Sequence, residues 1–523
     1  MTYNARNKVF MGDNMLLKNA LKYKYRLLFI CCMLCGLLNV FTFWQGDMKY
    51  PAQALFIPAV VIVIAIVGFK LYKEEPFDEK TVIFCLFVIG FFFRLVYIQS
   101  TGHLIRQHDV GGKNGHLEYI LKFYTHQKLP QTIEWQYYQP PVWHYICSLF
   151  LHIQTTLGIA LDAAKENLQL ISFFCSNMIT LVSYRLFKKF SLKGLSLIIP
   201  FAIVVFHPTF IILAGSINND VLSLLLALIS VDLAIKWYRE PKLATILKLA
   251  LSIGFSMGVK LSGGLISVGV AMLFAIRLFG KKYKNKIGLI GQFASFGIIC
   301  VPIALWWQVR NYIRFDTPFT YVPKLSETHS QFIGFRSFFE RIFDISAVFD
   351  IGVYPARMIQ SKVGIYDYYE YNIPLGALKS SVFGEYYLGQ GSKIGLICAQ
   401  LLFWSAVIIA IAATVSAVYA VIKAFKNSKE ECEFAKSELI FTLVCVATVI
   451  FSYIKFCFEF AHFCTMDFRY IAITVVFGAL YIGLLLKHRE KNNKMFDKIL
   501  RNSLCVLIGI FALSSLAIYL TAG

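Results

Sequence analysis

Apolar runs close to twenty residues long recur from one end of the chain to the other, separated by short polar connections. With a helix needing ~20 apolar residues to cross a bilayer, the pattern predicts spans at 26–44, 52–72, 81–98, 168–187, 195–214, 220–237, 243–260, 263–280, 287–307, 395–423, 437–458, 470–487 and 501–521. The expected fold is therefore an all-α integral membrane protein with about 13 transmembrane helices, in a range of roughly 11 to 15. No cleavable leader is expected, because the first apolar run begins only after Tyr25 and leads straight into a second.

Basic residues fall on alternate connections, which fixes an orientation. Lys18, Lys22 and Lys24, then Lys70 and Lys73, then Lys188, Lys189 and Lys193, then Lys236 and Arg239 share one side with Lys281, Lys282, Lys426 and Lys491. The positive-inside rule puts that side, and the N-terminus, in the cytoplasm, with the plasma membrane as the expected location. One apolar run breaks the alternation: 142–157 is short and carries His144, His152 and Gln154. Counting it as a span would invert every later loop, so it is expected to lie in the outer interface instead. The resulting divisions are N-terminal helices at 1–98, a first extracytoplasmic loop at 99–167, a central bundle at 168–307, a second extracytoplasmic loop at 308–394 and C-terminal helices at 395–523.

Composition agrees with this threading: the 523 residues are 58% hydrophobic and 15% charged, with a mean hydropathy of +0.62, which few water-soluble folds sustain. The formal charge of +21 sits mostly in the short cytoplasmic connections, so nucleic acid is not an expected partner. The cysteines, including Cys31, Cys32 and Cys35, lie mainly in apolar runs and suggest neither a disulfide framework nor a metal site.

Candidate chemistry collects on the outer side. Asp109 follows a span by about three turns among Arg106, His108, Lys113 and His116, cations that favour a charged carboxylate able to accept a hydroxyl proton. The competing readings are a helix cap and a surface ion pair. Tyr138, Gln139, Pro140 and Pro141 make a stiff corner leading into 142–157. Asp220 stands at a helix start on the same side, where capping explains it well. Asp232 is expected to pair with Lys236 one turn on, or to snorkel, and Arg94 to snorkel. Lys260, at an outer helix end, and Arg310, just beyond another, together suit a phosphate at the membrane surface, with Arg469 beside Asp467 as a third cation. Tyr366, Asp367, Tyr368, Tyr369 and Glu370 suggest acceptor binding, gating or aromatic anchoring.

In order and topology these motifs resemble the GT-C superfamily of membrane glycosyltransferases, in the branch of protein O-mannosyltransferases and lipid A aminoarabinose transferases (glycosyltransferase family 39-like). The resemblance covers the chain from about residue 81 and rests on Asp109, His116, Tyr119, Leu129-Pro130, the YQPP corner at 138–141, HPTFIILAGSINND at 207–220, GVKLSGG at 258–264, WWQVRNYIRFDTPF at 306–319 and TMDFRYI at 465–471. It implies an inverting hexosyl transfer from a polyprenyl-phosphate sugar to an extracytoplasmic hydroxyl of a lipid, protein or polysaccharide. Asp109 would be the base, Lys260, Arg310 and Arg469 would bind the donor phosphate, and His116, Tyr119, Tyr138, Gln139 and Asp220 would line the sugar or acceptor site. The family often has two adjacent acids where this chain has only Asp109. No cofactor is expected, and a divalent metal stays open. The rival readings are a transporter or flippase, against which no internal repeat is seen, and a noncatalytic lipid-binding protein.

Overall fold

The computed structural model describes residues 52–105, 109–280, 285–329, 331–349, 359–360, 366–367, 370–384, 393–426, 433–490 and 495–521. The expected span at 26–44, the cysteines at 31, 32 and 35, and Arg106, His108, Tyr368 and Tyr369 lie outside them. In chain order the helices are α1 (Ile57–Tyr72), α2 (Glu79–Ser100), α3 (His116–His126), α4 (Val142–Thr156), α5 (Leu161–Glu166) and α6 (Gln169–Lys189). Next come α7 (Leu195–Phe206), α8 (Pro208–Gly215), α9 (Asp220–Arg239), α10 (Leu243–Val259), α11 (Ser267–Phe279) and α12 (Lys286–Phe315). The last are α13 (Phe338–Phe343), α14 (Ile373–Phe383), α15 (Lys393–Lys426), α16 (Glu433–Glu459), α17 (Ile473–Arg489) and α18 (Met495–Tyr519). The sole sheet among the described residues is a two-residue antiparallel ladder in which Ile359 faces Asp367 and Gln360 faces Tyr366.

Among the described residues nine helical segments are long and apolar enough to cross a membrane, or eleven if each of two bent pairs is one span. The bent pairs cover the expected spans 195–214 and 470–487, and the nine straight ones cover every other expected span except 26–44 and 243–260. The latter is α10, an apolar helix of 17 residues. The chain is a multi-pass membrane protein.

Met1–Val96 and Tyr97–Gly523 form separate compact units. In the first, Lys70 pairs with Glu75 at 2.8 Å and lies 3.8 Å from Asp78, tying the connection after α1. Arg94 turns back along α2 to donate to the Gly90 carbonyl at 2.9 Å, where snorkelling was expected.

In the second unit α10 packs between α9 and α12, α7 packs on α17, α15 on α17 and α18, and α11 on α16. Proline explains the first bend: Pro208 has no N–H to continue the helix and pushes His207 into an extended conformation, so α8 leaves α7 at 42°. Gly215 then lets the chain pass Tyr97, whose ring would stand 2.9 Å from any Cβ at that position. Helix α4 inverts the soluble rule. Trp143, His144, Cys147, Leu151 and Gln154 are buried, whereas Tyr145, Leu149, Ile153 and Leu157 face outward. An outward apolar stripe of this kind is what a lipid interface accommodates.

Two expectations change. Helix α12 continues past 307 to Phe315 and stops where Asp316 adopts a left-handed φ of 51°, so Arg310 lies inside a helix and not beyond one. Asp232 pairs with Lys189 at 2.7 Å and Arg185 at 3.3 Å, both on α6, because the neighbouring helix brings cations closer than its own next turn does.

Candidate functional site

Four chain segments converge at one end of the bundle, and each has a local reason to expose its polar residue there. Asp109 sits in the left-handed region at φ 58°, followed by Gly112 at φ 80° and Asn114 at φ 61°. Its carbonyl accepts from His116 N at 2.9 Å, which closes the loop onto the start of α3. A Cβ at Gly115 would lie 2.5 Å from the Gly111 carbonyl oxygen, so the loop can close this tightly only with glycine there. Asp220 is the first residue of α9, and its N–H is held by Asn218 Oδ1 at 3.1 Å. The expected cap is instead occupied by Asn219, and the Asp220 carboxylate is free to pair across the site.

Lys260 is extended, between the end of α10 and a 3-10 turn at Leu261–Ile266. Gly263 permits that break by lying against Ser256 Oγ and within 2.5 Å of Ser223 Oγ, measured from where a Cβ would be. Arg469 lies on the 3-10 turn Phe468–Ile471, which Asp467 caps by accepting from Arg469 N at 2.8 Å. The next helix, α17, departs at 47°.

The side chains form a charge network. Lys260 Nζ donates to Asp220 Oδ1 and stands 4.7 Å from the centre of the Tyr470 ring. Arg469 Nη2 donates to Asp109 Oδ2 at 3.2 Å and to Tyr470 OH at 3.1 Å. Its Nε is 3.7 Å from Asp220 and 3.6 Å from Asp467, close enough for charge attraction but too far for a hydrogen bond. Three carboxylates against two cations leave one negative charge. Asp109 is the open member, its side chain 30% exposed while that of Arg469 is 6% exposed.

A cleft beside these groups is lined by Asp220, Ser223, Lys260, Ser262, Arg469 and Tyr470 together with the apolar Leu224, Ala227, Leu265, Ile266, Val449 and Ile473. Such a mixed lining can meet both charged and apolar parts of a ligand. Among the described residues no group of three or more His, Cys, Asp or Glu is arranged to hold a metal ion. The three aspartates are gathered around a guanidinium.

On the other flank, Gln139 Nε2 donates to Tyr138 OH at 2.7 Å, and Asn219 Nδ2 reaches Gln139 Oε1 at 3.3 Å and the Val259 carbonyl at 2.8 Å. Trp307 Nε1 donates to the Tyr138 carbonyl at 2.8 Å, and Tyr119 OH to the Gln139 carbonyl at 3.3 Å. The stiff YQPP corner is thus pinned to α3, to the N-cap residue of α9 and to α12. Burial raises the Tyr138 phenol above its ordinary pKa, reinforced by the Asp109 and Asp220 carboxylates. His116 Nδ1 is 2.8 Å from His144 Nε2. Burial lowers the His116 pKa to about 4 against the pull of Asp109 and Asp220, so it is neutral at pH 7.

The structure therefore brings Asp109, Asp220, Lys260 and Arg469 into one network, with His116, Tyr138 and Gln139 beside it. Arg310 is engaged elsewhere: it donates to the Pro130 carbonyl and to Asn311 Oδ1, and its guanidinium stacks 4.5 Å from the Trp307 ring. Asp367 lies in the short β ladder, and Glu370 is buried against Lys379. Sequence reasoning did not place Asp467, Tyr470 or His144 in the site. The only sequence signal for His144 was its place, with His152 and Gln154, among the polar residues of an otherwise apolar run.

No protein-family model and no curated protein matches the chain. The fold is similar to that of two solved structures of the Archaeoglobus fulgidus oligosaccharyltransferase. The first, tethered to an acceptor peptide containing the NVT sequon, is 12% identical with a TM-score of 0.49, covering 85% of this chain and 56% of that one. The second, described as AglB with an inhibitory peptide and a dolichol-phosphate, is 13% identical with a TM-score of 0.46 and the same coverage. The chain spans about half the length of these proteins.

Proposed function

We propose that the chain is a GT-C-type glycosyltransferase of the plasma membrane, with its N-terminus in the cytoplasm. It transfers a hexose from a polyprenyl phosphate to an extracytoplasmic acceptor hydroxyl. The observation that carries this reading is the network itself: an open Asp109 carboxylate shares Arg469 with Asp220, Lys260 pairs with Asp220, and Asp220, Lys260 and Arg469 line a cleft together with apolar side chains. A phosphate headgroup in that cleft would meet the remaining donors of Lys260 and Arg469, while its lipid tail would lie against the apolar side chains.

In the proposed reaction Asp109 takes the proton of the acceptor hydroxyl as that oxygen attacks the anomeric carbon. The bond from carbon to phosphate oxygen breaks on the opposite face, with inversion, and its electron pair leaves with the phosphate. A base so placed contributes on the order of 10²–10⁴-fold, and cations aimed at the leaving phosphate stabilise the charge that develops there. Because Arg310 is committed to Pro130 and Trp307, headgroup binding falls to Lys260 and Arg469, and Arg310 steadies the first outer loop. The segments 99–167 and 308–394 are proposed as the extracytoplasmic loops, and 1–98, 168–307 and 395–523 as the membrane helices. Tyr119, Tyr138 and Gln139 shape the acceptor side.

The test supplies membranes containing the full chain with radiolabelled polyprenyl phosphate hexoses and compares the parent with Asp109→Asn. Asparagine keeps the shape and tolerates the left-handed backbone, so the variant should insert normally and transfer at least 100-fold more slowly. Equal transfer by both removes Asp109 as the base.

A further inference from the structure

A group of large apolar side chains lies outside the helices long enough to cross a membrane and yet faces away from the protein. Phe335 (85% exposed), Phe338, Phe339 (73% exposed), Phe343 and Ile345 sit within or beside the short helix α13. A contiguous apolar patch of this kind marks a contact with something other than water. The helix is firmly built all the same. Ser337 N donates to Glu340 Oε2 at 2.8 Å and Glu340 N to Ser337 Oγ at 3.2 Å, a reciprocal cap at its start. Just upstream, Ile333 N donates to the Ala461 carbonyl at 3.1 Å and Phe463 N to the Gln331 carbonyl at 2.9 Å, so the segment is strapped across the end of α16.

What covers the patch follows from where α13 rests. Its inward residue, Arg341, donates to the Cys457 carbonyl at 2.8 Å, among the last carbonyls of α16, which have no partner inside that helix. The Arg341 guanidinium and the Phe338 ring lie over Phe458, at 5.1 and 5.6 Å. Lys436–Glu459 is long and apolar enough to cross a membrane, so Phe458 belongs to the turn in which the span leaves the hydrocarbon. Phe451 stands two turns earlier on the same side of α16, about 10 Å along the axis, and is 72% exposed, as a lipid-facing residue is. The patch on α13 therefore continues the lipid side of α16 past its end. Arg336, stacked 4.5 Å from the Tyr371 ring, adds the basic and aromatic pair that suits headgroup level.

We propose that residues 335–345 are an interfacial foot whose partner is the lipid bilayer. The phenyl rings enter the boundary between headgroups and acyl chains in the leaflet at that end of α16, and α13 lies along it. This goes beyond the transferase reading and does not rest on it. The foot also has a line to the charge network. Asn372 Nδ2 donates to the Glu340 carbonyl at 3.3 Å, which hangs the start of α14 from α13. Near the other end of α14, Ser380 Oγ accepts from Phe468 N at 2.9 Å, one residue before Arg469. Seating the foot in lipid thereby sets the height of the Arg469 turn relative to the bilayer.

The test uses the full chain in nanodiscs of phosphatidylcholine and phosphatidylglycerol. The fluorinated analogue para-trifluoromethylphenylalanine is placed at Phe339 and, in a second sample, at the exposed Glu327 as a reference. Relaxation of the ¹⁹F signal is read with dissolved oxygen, which concentrates among acyl chains, and with a water-soluble nickel chelate. Position 339 should respond several-fold more to oxygen and several-fold less to nickel than position 327. A response like that of 327 means that the patch faces water and overturns the proposal. Protection from both agents means that protein covers it, which overturns the proposal equally. In a second arm the probe stays at 339 while Phe335→Asp and Phe343→Asp place charges on either side of it. The nickel response should then rise toward that of 327, and an unchanged oxygen response would show that these rings do not seat the helix, against the proposal. Each outcome reads the same whether or not any sugar is transferred.

Discussion

Replacing Lys260 by methionine removes the ammonium from Asp220 while keeping most of the side chain's length. The Asp220 carboxylate, 8% exposed, then has only Arg469 Nε, 3.7 Å away and not hydrogen-bonded, as a compensating charge. Breaking a buried ion pair from one side costs about 3–5 kcal/mol. At an effective dielectric near 20, the remaining attraction at 3.7 Å is roughly 4 kcal/mol, comparable with what Lys260 supplied. About half of the compensation therefore survives, and the expected loss is ~2 kcal/mol. Unfolding of the purified protein in mixed micelles, with SDS fraction as the variable, measures it. The second variant, Lys260→Met with Asp220→Asn, removes the orphaned charge as well and should recover most of the loss. A single variant as stable as the parent, or a double variant less stable than the single, would show that Asp220 is not held by charge pairing and would refute the reasoning.

Three further outcomes follow from particular positions. At Asp109 the φ of 58° suits glycine and strains alanine, so Asp109→Gly should be more stable than Asp109→Ala by about 1 kcal/mol in the same titration. Gly263→Ala would force a methyl against Ser256 and Ser223 and should cost about 1–3 kcal/mol, with Lys260 displaced from Asp220. Folded His116 binds a proton less readily than the unfolded residue, near pH 4 against 6.5. Its contribution to stability is thus complete above pH 6.5 and is lost as the pH falls through that window. The loss is about 3 kcal/mol at most, and His116→Asn should flatten the dependence over that window.

The spans were legible because each is a continuous local signal: every expected span within the described residues coincides with an apolar helix or bent pair. The four charges that the structure gathers, Asp109, Asp220, Lys260 and Arg469, could be singled out because Asp220, Lys260 and Arg469 stand at or beside helix ends and Asp109 in the loop between two helices. Their partners could not be. Asp109 was set among Arg106, His108, Lys113 and His116, yet among the described residues the cation it pairs with is Arg469, 360 positions away. Ion pairs between distant segments leave no trace in spacing, and the same blindness assigned Asp232 to Lys236 in place of Lys189. Arg310 illustrates a boundary error: no glycine or proline interrupts WWQVRNYIRF, so the helix runs on and carries the arginine to Pro130.

A single guanidinium lies within 4 Å of carboxylates drawn from the early, middle and late thirds of the chain. During synthesis Asp109 and Asp220 are made long before Arg469, so for nearly half of translation two acids await their shared counterion. Insertion of the last few helices is consequently also the step that arms the centre, and a nascent chain stalled before residue 469 should be inert however many of its spans are already in the bilayer.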